Sequence, residues 1–118
     1  MELAELIARQ RAFDQGHASR FEWSQSASPD NTQPLLYIAL ALAGEVGELA
    51  NVVKKLERGD MSYAEALALL KEEAADVLMY LLKLSYQAGI DLEKALLEKQ
   101  RANAIRFASL EKAHDSTK

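Results

Sequence analysis

Four carboxylates in this sequence stand where carboxylates are costly. Glu45 and Glu48 are three residues apart in Gly44-Glu45-Val46-Gly47-Glu48-Leu49. Glu73 and Asp76 repeat that spacing in Glu73-Ala74-Ala75-Asp76-Val77. On a helix, such spacing places each pair on one face, one turn apart. Two such helices packed antiparallel would bring both pairs to one point. Four converging carboxylates cannot all stay ionised in a low-dielectric site without a cation. Oxygen-only donors favour a hard ion, Mg²⁺ or Mn²⁺, over zinc or copper. Gly44 and Gly47 flank the first pair and would let a backbone or ligand approach closely. Glycine costs about 1 kcal/mol in a helix interior, so its presence there calls for a reason.

Two other readings of the acids stand beside this one. Solvated helix acids with i,i+4 partners are common, and Glu72, next to Lys71, fits that description. A di-iron carboxylate bundle would use Glu-x-x-His pairs. Neither acid-bearing segment contains histidine; His17 and His114 lie elsewhere and read as surface residues. Lys54 and Lys55 follow the first acid pair by about two turns. They could meet phosphates, or simply be solvated lysines near a helix end.

The elements that must position these acids are helical. The first runs from about Glu2 to His17, with Leu3, Leu6, Ile7 and Phe13 as its apolar stripe. From Ser24 to Gln33 the composition turns to Ser, Asn, Asp, Gln and Pro, a loop. A second helix starts near Gln33, with Pro34 in its first turn, and stops at Gly59. Ser62-Tyr63-Ala64-Glu65 fits a capping box that opens a third, running to about Gln87 with Gly89 as its stop. Asp91 caps a fourth, which continues to about Phe107 or Leu110. The expected organisation is a single domain over residues 1–110, with a frayed tail over 111–118.

Apolar residues nearly encircle the second and third helices. Leu40, Leu42, Val46, Leu49, Val52, Val53 and Leu56 do so in one. Leu67, Leu70, Val77, Leu78, Leu81, Leu82 and Leu84 do so in the other. A helix apolar on most sides must be covered on most sides. The expected fold is therefore all-α, a four-helix bundle completed by a homodimer or homotetramer.

Composition narrows the partners. The chain has 118 residues, no cysteine and a formal charge of −4. It cannot form a disulfide framework or a thiolate metal site. An acidic balance argues against a protein that coats a nucleic acid polymer. It leaves room for a nucleotide, because a bound cation reverses the local field. Met1 to Gln10 carries Glu2 and Glu5 and lacks the apolar run of a signal peptide. The longest uninterrupted apolar stretch, Leu35 to Ala43, falls short of the roughly 18 residues that span a bilayer. The expectation is a cytoplasmic protein with no membrane partner.

The pattern Glu-x-x-Glu, a gap, then Glu-x-x-Asp resembles that of the MazG-like all-α nucleoside triphosphate pyrophosphatases. That group includes the dimeric dUTPases and the dCTP pyrophosphatases. The resemblance extends through GEVGELANVVKKLERG and KEEAADVLMYLLKLSYQAGIDLEKALLEKQRANAIRF, most of residues 44 to 107. It implies helices paired across an oligomer. It also implies Mg²⁺-dependent hydrolysis of a (d)NTP between the α and β phosphates, giving a monophosphate and pyrophosphate in nucleotide-pool control. Glu45, Glu48, Glu73 and Asp76 would be the metal ligands, with Glu45 or Glu48 also orienting the attacking water. The chemistry agrees. Phosphoanhydride hydrolysis needs charge neutralisation and an in-line water more than a protein nucleophile. The sequence offers no Ser-His-Asp set, P-loop or cysteine nucleophile.

The same resemblance points to substrate-binding residues. Lys99, Asn103 and Arg106 form a helical stripe similar to one by which the family's last helix approaches the nucleotide. A generic polar helix face has the same pattern. Tyr80, one turn after Asp76, would stack on base or sugar, or else be an interface tyrosine. Trp23 and Phe21 fall where the family places aromatic residues over the base; Phe21 also suits core packing. Between Ser24 and Pro34 the chain departs from the dCTP pyrophosphatase pattern, with Ser and Asn in place of a short basic stretch. A non-catalytic nucleotide-binding or interaction module of the same fold is the alternative to an enzyme.

Overall fold

Capping residues set the starts of the last two helices in this chain and the stops of the middle two. The computed structural model describes residues 1–116. It contains α1 (Leu3–Gly16), α2 (Gln33–Glu57), α3 (Tyr63–Ala88) and α4 (Leu92–Ser116). The Ser62 hydroxyl accepts the Glu65 N–H at 3.1 Å and opens α3. The Glu65 carboxylate returns to that hydroxyl at 3.0 Å, not to the Ser62 N–H of a full capping box. Asp91 accepts the Lys94 N–H at 3.0 Å and opens α4. Gly59 and Gly89 follow α2 and α3 at φ 80° and 69°. That left-handed turn is open to glycine at little cost.

The fold is all-α. Among the described residues, the one β-type pairing is an isolated bridge between Ser28 and Asn31, within the loop that joins α1 to α2. The Ala27 N–H donates to the Gln87 carbonyl at 2.8 Å and ties this loop to the end of α3.

A short link, residues 58–62, folds α3 back along α2, and these two helices form the main packed pair. Helix α1 packs on α3. Among the described residues the buried apolar side chains are few: Pro34, Ile38 and Val52 from α2, Ala66 and Leu82 from α3. Helix α1 departs from the expected stripe. Phe13 is 56% exposed, while Asp14 beside it is fully buried. Asp14 follows Leu3, Ile7 and Gln10 at helical spacing, so the inward face of α1 ends on a carboxylate.

Helix α4 runs on to Ser116, well beyond Leu110. The tail expected over 111–118 is therefore helical over 111–116; its last two positions lie outside the described residues. This helix makes no more than marginal contact with the other three. Leu96, Leu97, Ile105, Phe107 and Leu110 are left exposed along it. The radius of gyration is 18.8 Å. A compact chain of this length would have about 13.5 Å.

Helix α2 is also uncovered on one side. Leu36 and Leu40 are 60% and 67% exposed, and Gly44 and Gly47 continue the same face. By length and mean hydropathy (1.5) α2 is apolar enough to cross a membrane, although its longest uninterrupted apolar run is short. Glu45 and Glu48 lie near its middle, where a bilayer tolerates charge least.

Candidate metal centre

The acid centre is built by the α2–α3 pair. Glu45, Glu73 and Asp76 each offer a carboxylate oxygen, and these oxygens lie within 4.8 Å of one another. All three residues are half-buried. Glu48 is exposed and stands at the rim, close enough for its charge to act on both Glu45 and Glu73.

Burial is the largest influence on Glu45 and raises its pKa; the charges of Glu48 and Asp76 push it further the same way. Glu73 is raised first by burial and then by Glu48. Desolvation and like charge both disfavour the ionised form. The Oε2 atoms of Glu45 and Glu73 are buried with no hydrogen-bond partner. A buried acceptor left unpaired is costly. A cation seated among the three carboxylates would relieve both the repulsion and the unpaired oxygens. The donor set is all oxygen, which suits Mg²⁺ or Mn²⁺.

Tyr80 lies one turn beyond Asp76 and is half-buried. Its phenol pKa is raised, first by burial, then by the neighbouring Tyr37, with Glu45 and Asp76 adding to the effect. Tyr80 therefore borders the acids. Tyr37, from the first turns of α2, joins it there. The sequence reading did not single out Tyr37, although it lies eight residues before Glu45, near one helical face with it.

Trp23 is half-buried and stacks on Phe21, with ring centroids 4.2 Å apart and planes 4° from parallel. Phe21 is 41% exposed, so this stack replaces the core role considered for it. Lys83 links the two aromatic groups. Its ammonium lies 5.2 Å from the Trp23 ring centre and 5.5 Å from that of Tyr80. Lys83 escaped the sequence reading because lysine on a helix ordinarily reads as surface.

Other expected residues are not gathered at the acids within one chain. Lys54 is exposed in the last turn of α2. Lys99 and Arg106 are exposed and Asn103 half-buried on α4, which does not pack against the acid-bearing helices. Arg106 lies 4.9 Å from the ring centre of Phe107. A Cβ at Gly44 or Gly47 would meet nothing within 4 Å. The close approach that these glycines would permit is not made by the chain itself.

An all-α chain with a carboxylate centre between two long helices is the class that fold and site define. Residues 33–102 match the MazG nucleotide pyrophosphohydrolase domain. That segment is more than half of the chain and holds all four acids, and the chain belongs to the MazG family. It is similar to dCTP pyrophosphatase 1 of Rattus norvegicus, 35% identical over 94 residues, covering 76% of this chain and 52% of the relative. The Homo sapiens dCTP pyrophosphatase 1 is 36% identical over 94 residues with the same coverage. The chain thus spans about half the length of the curated relatives it matches. No solved structure matches it.

Proposed function

We propose that this chain is a metal-dependent nucleoside triphosphate pyrophosphohydrolase, cleaving a (d)NTP to the monophosphate and pyrophosphate. The observation that carries the reading is the convergence of Glu45, Glu73 and Asp76, with two buried oxygens unpartnered, inside the segment that matches the family. The relatives named as dCTP pyrophosphatases support a nucleotide substrate.

Glu45, Glu73 and Asp76 would hold Mg²⁺, with Glu48 completing the set from the rim. When bound, the ion supplies Lewis acidity and neutralises charge on phosphate oxygens. The chain's own residues do the rest. Glu48 is the one acid of the four with an exposed side chain, which suits it to orient and deprotonate the attacking water. Glu45 faces it across one helical turn and can share that role. Tyr80 and Trp23 offer aromatic faces for the nucleoside end. Substrate bound between acids and rings would be held for in-line attack.

A single chain leaves this site open. Lys54, Lys99, Asn103 and Arg106 supply cations and an amide for phosphates and sugar, and α4 does not bring its three to the acids. The bare faces of α2 and α4 support a homo-oligomer, a dimer or tetramer, in which another copy's α4 would cover the site. A cytoplasmic setting belongs to this reading, since free nucleoside triphosphates are found there.

The test is a panel of NTPs and dNTPs incubated with Mg²⁺ or Mn²⁺, with pyrophosphate and orthophosphate measured separately. Release of pyrophosphate by wild type and its loss in Glu48→Gln are expected. No turnover of any triphosphate, with nucleotide binding equal in wild type and Glu48→Gln, would establish a non-catalytic binding module instead.

A further inference from the structure

Asp14 is the most deeply buried charge in the described chain, and it lies outside the segment that matches the family. Each of its oxygens is satisfied. Oδ1 accepts from the Gln10 amide at 3.1 Å and pairs with the Lys83 ammonium at 3.2 Å. Oδ2 accepts from the Tyr86 hydroxyl. The Tyr86 oxygen also lies 3.2 Å from the Trp23 carbonyl. One hydroxyl proton cannot serve both, and the carboxylate is the stronger acceptor. The Gln87 amide supplies the missing donor to the Trp23 carbonyl.

This network joins α1, the aromatic loop and the C-terminal half of α3. Asp14 and Gln87 are as thoroughly buried as the small apolar core, and Gln10, Lys83 and Tyr86 are half-buried around them. A buried ion pair contributes little net stability, and an apolar pair of similar shape commonly does as well. What it adds is a fixed geometry. That geometry has a direction. Glu73, Asp76, Tyr80 and Lys83 follow one another along one face of α3 at spacings of three, four and three. From Asp76 to Lys83 is about 10 Å along the axis, comparable with the reach from the α-phosphate to the base of an extended nucleotide.

We propose that Lys83, held by Asp14, is a positioning residue that sets the Phe21–Trp23 stack beside Tyr80 at a fixed distance from the acid centre. This rests on the pyrophosphohydrolase reading. The Asp14 pair keeps the ammonium in place, and the ammonium attracts the faces of Trp23 and Tyr80 together. Lys83 acts through these rings on the nucleoside end and not on the phosphates.

Trp23 is the sole tryptophan, so its emission reports the loop directly. Lys83→Met and Lys83→Arg are compared with wild type by Trp23 emission, acrylamide quenching, and kcat and KM for the triphosphate that wild type hydrolyses best. In Lys83→Met, red-shifted emission, easier quenching and a KM raised about tenfold with kcat within about twofold are expected. Lys83→Arg restores most of each. Unchanged emission and KM in folded Lys83→Met would overturn the proposal, as would a lower kcat at unchanged KM. If Lys83→Met does not fold, the double variant Asp14→Asn/Lys83→Met removes both charges and takes the same readings. Emission and quenching need no turnover. A wild type that hydrolyses nothing overturns the enzymatic reading, while an unmoved Trp23 signal in the variant overturns the role of the pair.

Discussion

Glu45 on α2 and Glu73 on α3 each keep one carboxylate oxygen buried and without a partner, at a point where the two helices meet. Two acids so placed repel one another, and burial of those oxygens disfavours their charged forms further. Helices whose apolar sides are already uncovered would not keep such a pair for stability. The pair gains a purpose when a cation is bound.

Mg²⁺ should therefore stabilise the fold. A ligand that binds only the folded state adds about 2.7 kcal/mol at a hundredfold excess over its Kd. For a domain of this size that is a Tm rise of several degrees or more. Differential scanning fluorimetry with and without Mg²⁺ measures it. Glu73→Gln should lose most of the rise while folding normally, because the substitution removes charge and keeps shape. A wild-type Tm indifferent to both Mg²⁺ and Mn²⁺ would sink the metal assignment.

The metal-free protein should show the opposite of ordinary acid sensitivity at these two residues. Glu45 and Glu73 have folded-state pKa values above the unfolded value of 4.5. The folded state then binds protons more tightly than the unfolded state. Their contribution to stability is complete below 4.5 and falls as pH rises through the folded values. With metal removed by EDTA, wild-type Tm relative to the double variant Glu45→Gln/Glu73→Gln should rise as pH is lowered from about 7 towards 5. A difference that is flat, or that falls in that window, would show that the two acids are solvated. Saturating Mg²⁺ should remove most of the pH dependence.

What could be read from the sequence and what could not follow from one physical distinction. Glu45, Glu48, Glu73 and Asp76 were legible because the signal is local: a spacing of three within an apolar helix. Ser62, Gly89 and Asp91 were legible for the same reason, each capping the helix next to it. Asp14 and Lys83 are paired across 69 positions, and each alone looks like a surface charge. The hint was in α1, where Asp14 rather than Phe13 continues the inward stripe of Leu3, Ile7 and Gln10. Helix α4 outran its expected end because Glu111-Lys112-Ala113-His114 contains no glycine or proline to stop it. The relation of Lys99, Asn103 and Arg106 to the acids is not encoded within one chain's contacts.

Glu48 stands apart from the other acids by its exposure. If it handles the attacking water, Glu48→Gln should lower kcat by about 10²- to 10⁴-fold, the usual range for a general base. KM should change far less, since the three inner acids would still hold the cation for the phosphates and the aromatic rings would still meet the nucleoside end. Steady-state pyrophosphate release measures both. A Glu48→Gln enzyme with normal kcat would move the water to Glu45, whose glutamine variant then becomes the informative one.

Leu40 tests whether another copy covers α2. It is 67% exposed and shares one face with Leu36, Gly44 and Gly47. In a free monomer, Leu40→Glu would remove an apolar group from water and leave the fold as stable as before. At the centre of a helix–helix interface the same change buries an unpaired carboxylate, a cost large enough to dissociate a modest dimer. Light scattering after size exclusion should therefore give an oligomer for wild type and a monomer for Leu40→Glu. The variant should also lose most turnover at low protein concentration, because Lys99, Asn103 and Arg106 would no longer reach a site on another copy. A monomeric wild type would sink this assembly. An oligomer unaffected by Leu40→Glu would place the interface on another face, with the exposed row of Leu96, Phe107 and Leu110 on α4 the next to test.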